Sequence, residues 1–139
     1  MKQVFFFLGV ISICISCTVS PTKMEYGKDA CSYCDMTIVD KTHAGQVVTN
    51  KGKSYKYDAV ECLINDLSDK EESSFAYILV TDFSTPEKLI PATTATYLVS
   101  KEIKSPMGEN LSAFAENDKA TVFNGEVFNW ETIKERIRN

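Results

Sequence analysis

The sequence is poor in the residues that most catalysis needs. One histidine serves all 139 residues, and the acids are scattered. No Ser-His-Asp set, no His-Glu-x-x-His helix and no glycine-rich phosphate loop appears. Without an acid/base pair, hydrolase or transferase chemistry has nothing to carry it, and the chain reads as a non-enzyme. A basic stripe is also missing. Fifteen Lys and Arg are interspersed among 19 Asp and Glu for a net charge of −4, which argues against a nucleic-acid partner. The longest apolar run, residues 4–15, is too short to span a bilayer.

That run follows Lys2, so residues 1–16 read as a signal peptide with a short positive start and an apolar centre. Ser16 is small and precedes Cys17, as in a lipobox, although Cys14 stands where leucine is usual at the −3 position. Processing there would leave Cys17 as an acylated, lipid-bearing N-terminus; the plainer alternative is cleavage near Ser16 and release. Residues 17–28 are then a polar tether holding Pro21 and Gly27, and residues 29–139 the domain. The expected location is a bacterial membrane facing the periplasm. Thr18 offers no inner-membrane retention signal, which favours the outer membrane.

Removal of Cys14 and lipidation of Cys17 leave Cys31, Cys34 and Cys62. An odd thiol count in an exported protein implies a free thiol or a metal ligand. Cys31-x-x-Cys34-x-Met36 sets two thiols and a thioether in six residues. Soft sulfur selects soft ions, and thioether favours Cu(I) over zinc, so this is a candidate Cu(I) site. Met107, in a Pro-Met-Gly loop, is the candidate second thioether. His43, in a Lys-Thr-His-Ala-Gly turn, reads as a surface side chain that a hairpin could return to the sulfurs. Cys62 lies beside an apolar helical stripe and reads as a buried core thiol. Two alternatives remain open here. Cys31 and Cys34 could serve as a thiol-disulfide redox pair, though the β-branched residues 37–39 that follow suit a strand rather than a helix start. A Cys₃His zinc site could join Cys31, Cys34, Cys62 and His43.

Residues 36–39, 45–49, 54–57, 75–80, 88–90 and 95–99 read as strands. Residues 59–67 read as a helix capped by Asp58, with Val60, Leu63, Ile64 and Leu67 on one face. Residues 111–116 suggest a short helix and 121–123 a strand that turns at Asn124-Gly125 to meet 127–128. A terminal helix covers 130–138 with Asn129 as its cap. Residues 52–64 align without gaps on residues 125–137, pairing Gly52 with Gly125, Tyr57 with Trp130, Asp58 with Glu131 and Ile64 with Ile137. The fold expected is α+β, with two homologous β-β-α halves, about 29–82 and 83–139, sharing a core.

The chain resembles the NosL family, copper-binding lipoproteins that accompany nitrous oxide reductase. The resemblance rests on Cys31-x-x-Cys34-x-Met36, Tyr57-Asp58 with Cys62-Leu63, residues 80–83, residues 95–99, and Pro106-Met107-Gly108 followed by Ala113-Phe114. It implies two related halves and a metallochaperone that binds one Cu(I) and hands it to the maturing reductase, with a membrane transporter complex as partner. Cys34, Met36 and Met107 are the implied ligands, with Cys31 and His43 next. The chain departs at Asp35, where the family typically has glycine.

Overall fold

The computed structural model describes residues 18–139. The expected signal peptide and the expected lipidation at Cys17 lie outside the described residues. No helix among those described is long and apolar enough to cross a membrane.

The first half is built on β1 (Gly45–Thr49), a central strand flanked by β2 (Ser54–Tyr57) and β3 (Phe75–Thr81); β4 (Leu89–Pro91) adds to β3. All pairings are antiparallel. Gly52, at φ 87°, completes the turn between β1 and β2. Helix α1 (Val60–Asp66) follows β2 at once. Its Val60, Leu63 and Ile64 are fully buried with Leu67, the stripe expected from their spacing. Each such side chain contributes about 1.5–3 kcal/mol on burial.

The second half has a three-stranded antiparallel sheet in the order β6 (Leu111–Phe114), β5 (Thr96–Val99), β7 (Glu126–Phe128). A short helix α2 (Asn117–Ala120) precedes β7, and α3 (Trp130–Arg138) follows it. Asn129 caps α3 reciprocally with Thr132. The sheets are stitched by a parallel bridge between Asp82 and Ala113, where Phe83 N–H donates to the Ala113 carbonyl at 2.8 Å. One core joins the halves through α1, Trp130 and Ile133, while Phe83, Phe114 and Phe123 form a smaller aromatic cluster.

Four expectations need correction. Residues 111–114 are strand β6, buried along their whole length, not a helix. Four such residues are too few for periodicity to separate the two states. Residues 121–123 form turns after α2 and make no ladder, and β7 pairs with β5 instead. Residues 36–39 supply only the single bridge between Thr37 and Ala30. The N-cap of α1 is Ala59, without a side-chain bond, and Asp58 is buried with Oδ1 unpartnered.

Both halves set a strand-then-helix unit against a central strand, β2–α1 on β1 and β7–α3 on β5. The third strand enters the chain order differently: β3 comes after α1, whereas β6 comes after β5 and before β7.

Candidate metal centre

The cysteine loop is a closed unit. Cys31 N–H donates to the Met36 carbonyl at 2.8 Å, and Asp35 N–H donates to the Cys31 carbonyl at 3.0 Å. Asp35 sits at φ 62°, in the left-handed region that glycine reaches freely and aspartate tolerates better than most residues. The departure from glycine therefore preserves the backbone shape that position requires.

Docking of this loop on β2 brings the distant thiol in. Ser32 N–H donates to the Lys56 carbonyl at 2.8 Å, and Lys56 N–H returns a bond to Ser32 Oγ at 3.3 Å. Lys56 Nζ adds an ion pair to Asp29 at 2.6 Å. Because β2 leads directly into α1, the third helical residue, Cys62, arrives at the loop. The sulfurs of Cys31, Cys34 and Cys62 all lie within 4.8 Å of one another. All three are free thiols; Cys31 and Cys62 are buried and Cys34 is half-buried. Cys62, taken from the sequence as core filling, is thus a full member of the cluster.

The three thiols are not equivalent. A hydrogen bond from the Cys62 thiol pulls Cys31 down to about 5, aided by the N–H groups of Cys34, Asp58 and Tyr33. Cys62 is correspondingly pushed well up, first by that bond to Cys31 and then by burial. Burial also raises Cys34. Asp58 is raised by burial and by the neighbouring Cys31 charge. A buried thiolate beside a buried carboxyl with an orphaned oxygen is an environment that a bound cation relieves, so the donor set fits a soft metal ion.

Cys31 is more acidic folded than unfolded, so its thiolate adds stability above the unfolded value of about 8.5. That contribution is lost as pH falls through about 5. Thiolate absorbance at 240 nm in the reduced, metal-free protein should show one step near pH 5. In Cys62→Ala that step should move upward toward an ordinary thiol. An unmoved step would remove Cys62 as the cause.

His43 is not at the sulfurs. The turn signal around it holds, since Asp40 Oδ1 accepts the N–H of Thr42 at 2.7 Å and of His43 at 3.1 Å. The side chain, however, is only 2% exposed. Nδ1 faces Asp40 Oδ2 at 3.1 Å, and Nε2 faces Ser112 Oγ on β6 at 3.0 Å. Its ring packs against Phe83 at 5.5 Å. Both nitrogens are engaged, so His43 joins the two halves, and the Cys₃His arrangement does not form.

Met36 and Met107 are half exposed, at 52% and 39%. Met36 belongs to the cysteine loop itself, and its N–H is directed at the Cys34 sulfur. Met107 occupies a turn closed by Gly108 N–H on the Ser105 carbonyl at 3.1 Å. The base of that turn is tied to α1, where Ser105 Oγ donates to Glu61 Oε1 beside Cys62. Among the described residues, no other exposed large hydrophobic side chain carries a soft donor atom.

These features define a class: a two-sheet α+β domain presenting three convergent thiols close enough to share one ion. The chain belongs to the NosL family, whose model matches residues 21–137. The fold is similar to that of the copper chaperone NosL from Shewanella denitrificans, with a TM-score of 0.65 and 20% identity over 80% of this chain and 96% of that one. A search of curated proteins finds no match.

Proposed function

We propose that this protein is an exported Cu(I) metallochaperone. It takes the ion on the sulfur cluster and passes it to an extracytoplasmic cuproenzyme, nitrous oxide reductase being the acceptor its family suggests. The observation that carries the reading is the convergence of Cys31, Cys34 and Cys62, from a loop and a helix remote in sequence, onto one point. Thiolates give affinity for the monovalent ion, and thioethers add soft donors without charge. The site residues proposed are Cys34, Met36 and Met107, with Cys31 and now Cys62; His43 is engaged elsewhere.

Transfer is ligand exchange rather than catalysis. A half-exposed thioether is the ligand most easily displaced by an incoming thiolate, thioether or imidazole. The buried thiolates would then release the ion stepwise. The lipid at Cys17 would hold the domain at a membrane facing the periplasm, near the reductase's maturation complex.

One observation bears on the thiol-disulfide alternative. The acidified thiol, Cys31, is only 1% exposed, while the accessible Cys34 has its pKa raised. An attacking cysteine needs the reverse pairing of acidity and access.

Anaerobic titration of Cu(I) in competition with a chromogenic chelator tests the proposal. Wild-type protein should bind one equivalent. Met36→Ala and Met107→Ala should each weaken binding by about tenfold, or about 1.4 kcal/mol. Wild-type affinity in both variants would eliminate the thioether role.

A further inference from the structure

Glu61 is a costly residue for its place. It is 1% exposed, on the helix that carries Cys62, and its Oε2 has no hydrogen-bond partner. Buried carboxyls are expensive unless matched, and the place of this one in the first turn of α1 offsets only part of that cost. Its side-chain partner is Ser105, which comes from the other half of the molecule.

Ser105 in turn controls the loop bearing Met107 from both ends. Its hydroxyl oxygen accepts the N–H of Asn110 at 3.0 Å, and its carbonyl accepts the N–H of Gly108 at 3.1 Å. Gly108 and Asn110 both take left-handed backbone, at φ 89° and 58°, which lets residues 105–110 double back tightly. The far end of the connection is closed where Ser100 N–H donates to the Asn110 carbonyl at 3.1 Å. Both hydrogen bonds that close the Pro-Met-Gly turn from within therefore fall on Ser105, and Glu61 is what fastens Ser105 to α1.

We infer that Glu61 is a positioning residue for metal exchange, fixing the Met107 loop to the helix that supplies Cys62. It touches no metal itself. It lowers the entropy lost when Met107 is held toward the sulfurs, and couples that loop to the thiol cluster as the residue that precedes Cys62 on α1. The inference rests on Met107 being a Cu(I) donor, as proposed above.

Two measurements on the full domain test it separately from that reading. Amide exchange at Gly108, whose acceptor is the Ser105 carbonyl and is kept in every variant, reads the fastening in the metal-free protein. It should accelerate in Glu61→Leu and in Ser105→Ala, and stay near wild type in Glu61→Gln, whose amide oxygen still accepts from Ser105. Cu(I) affinity then reads the positioning. Glu61→Leu and Ser105→Ala should each weaken it by about fivefold in the wild-type background and add almost nothing to Met107→Ala, the non-additivity expected of residues acting through one group. Unchanged exchange in the two disrupting variants overturns the fastening. Faster exchange with unchanged affinity, or an equal loss of affinity with and without Met107, overturns the positioning. Should Glu61→Leu fail to fold, Glu61→Ala carries both measurements, since it removes the acceptor for Ser105 without overpacking and leaves the Ser105–Asn110 bond in place. Wild-type affinity in Met107→Ala alone would instead overturn the thioether role under the proposed function, while the exchange result would still stand.

Discussion

Cys62→Ser is expected to weaken Cu(I) binding by about a hundredfold, or about 2.7 kcal/mol, the largest loss of any single change outside the cysteine loop. The reason is the donor that is removed. Cys62 supplies one of three sulfurs within 4.8 Å of each other, so its removal takes a donor from the centre. It also supplies the hydrogen bond that keeps Cys31 ionised near neutral pH. Serine keeps a hydroxyl that can donate this bond, so Cys31 stays ionised and the loss reads the missing sulfur. Serine is chosen because Cys62 is fully buried and an oxygen nearly conserves its volume. Cys62→Ala would add a packing loss to the binding loss. Chelator competition on the reduced protein gives the affinity, and urea denaturation of the metal-free forms checks that the fold is retained. A Cys62→Ser variant binding Cu(I) as tightly as wild type would return Cys62 to the role of core filling.

That role is the one the sequence suggests, and the reason is instructive. Helical spacing puts Val60, Leu63, Ile64 and Leu67 on one stripe and leaves Cys62 beside it, where a thiol is indistinguishable from a small hydrophobe. Its partnership with Cys31 depends on the docking of Ser32 against Lys56, a tertiary contact that no local pattern encodes. The only sequence signal for it is the odd count of thiols that the export reading leaves. His43 illustrates the opposite error. Asp40 and Thr42 build the turn that the sequence announces, yet Phe83 and Ser112 from later in the chain cover it. Elements that state their own ends were legible. Helix α3 has its reciprocal cap at Asn129 and Thr132, and β1 and β2 have a turn that requires left-handed Gly52. Strand β6 was not, because Leu111-Ser-Ala-Phe114 is buried on both faces by its neighbours and shows neither period. The methionine loop was recognised from its Pro and Gly, whereas its fastening by Glu61 was not, since nothing in either segment points to the other.

Gly125→Ala should destabilise the metal-free domain by about 3 kcal/mol, whereas Gly52→Ala should cost about 1 kcal/mol, although the two glycines coincide in the internal repeat. Gly52 has a left-handed backbone, and a Cβ there would meet only Val19 at 4.0 Å. Its replacement therefore costs backbone strain without a clash. Gly125 is not left-handed, but a Cβ there would fall 2.4 Å from the Val99 carbonyl oxygen and 2.9 Å from Leu98 Cδ1. Neither can yield cheaply, because Leu98 is fully buried and Val99 belongs to β5, which pairs with β7 in register. Relief requires β7 to move off β5, which pulls on Trp130. That residue is 3% exposed, packs against Tyr97 at 5.8 Å and donates from Nε1 to Glu72 of the first half at 3.1 Å. The disturbance would thus spread from one sheet edge into the shared core, and a broadened or lowered-midpoint urea transition should report it. Equal costs at the two positions would mean that both glycines answer the same backbone demand, as the gapless alignment implies. The clash geometry says otherwise: in the first half the residue makes a turn, and in the second it makes room for the neighbouring strand.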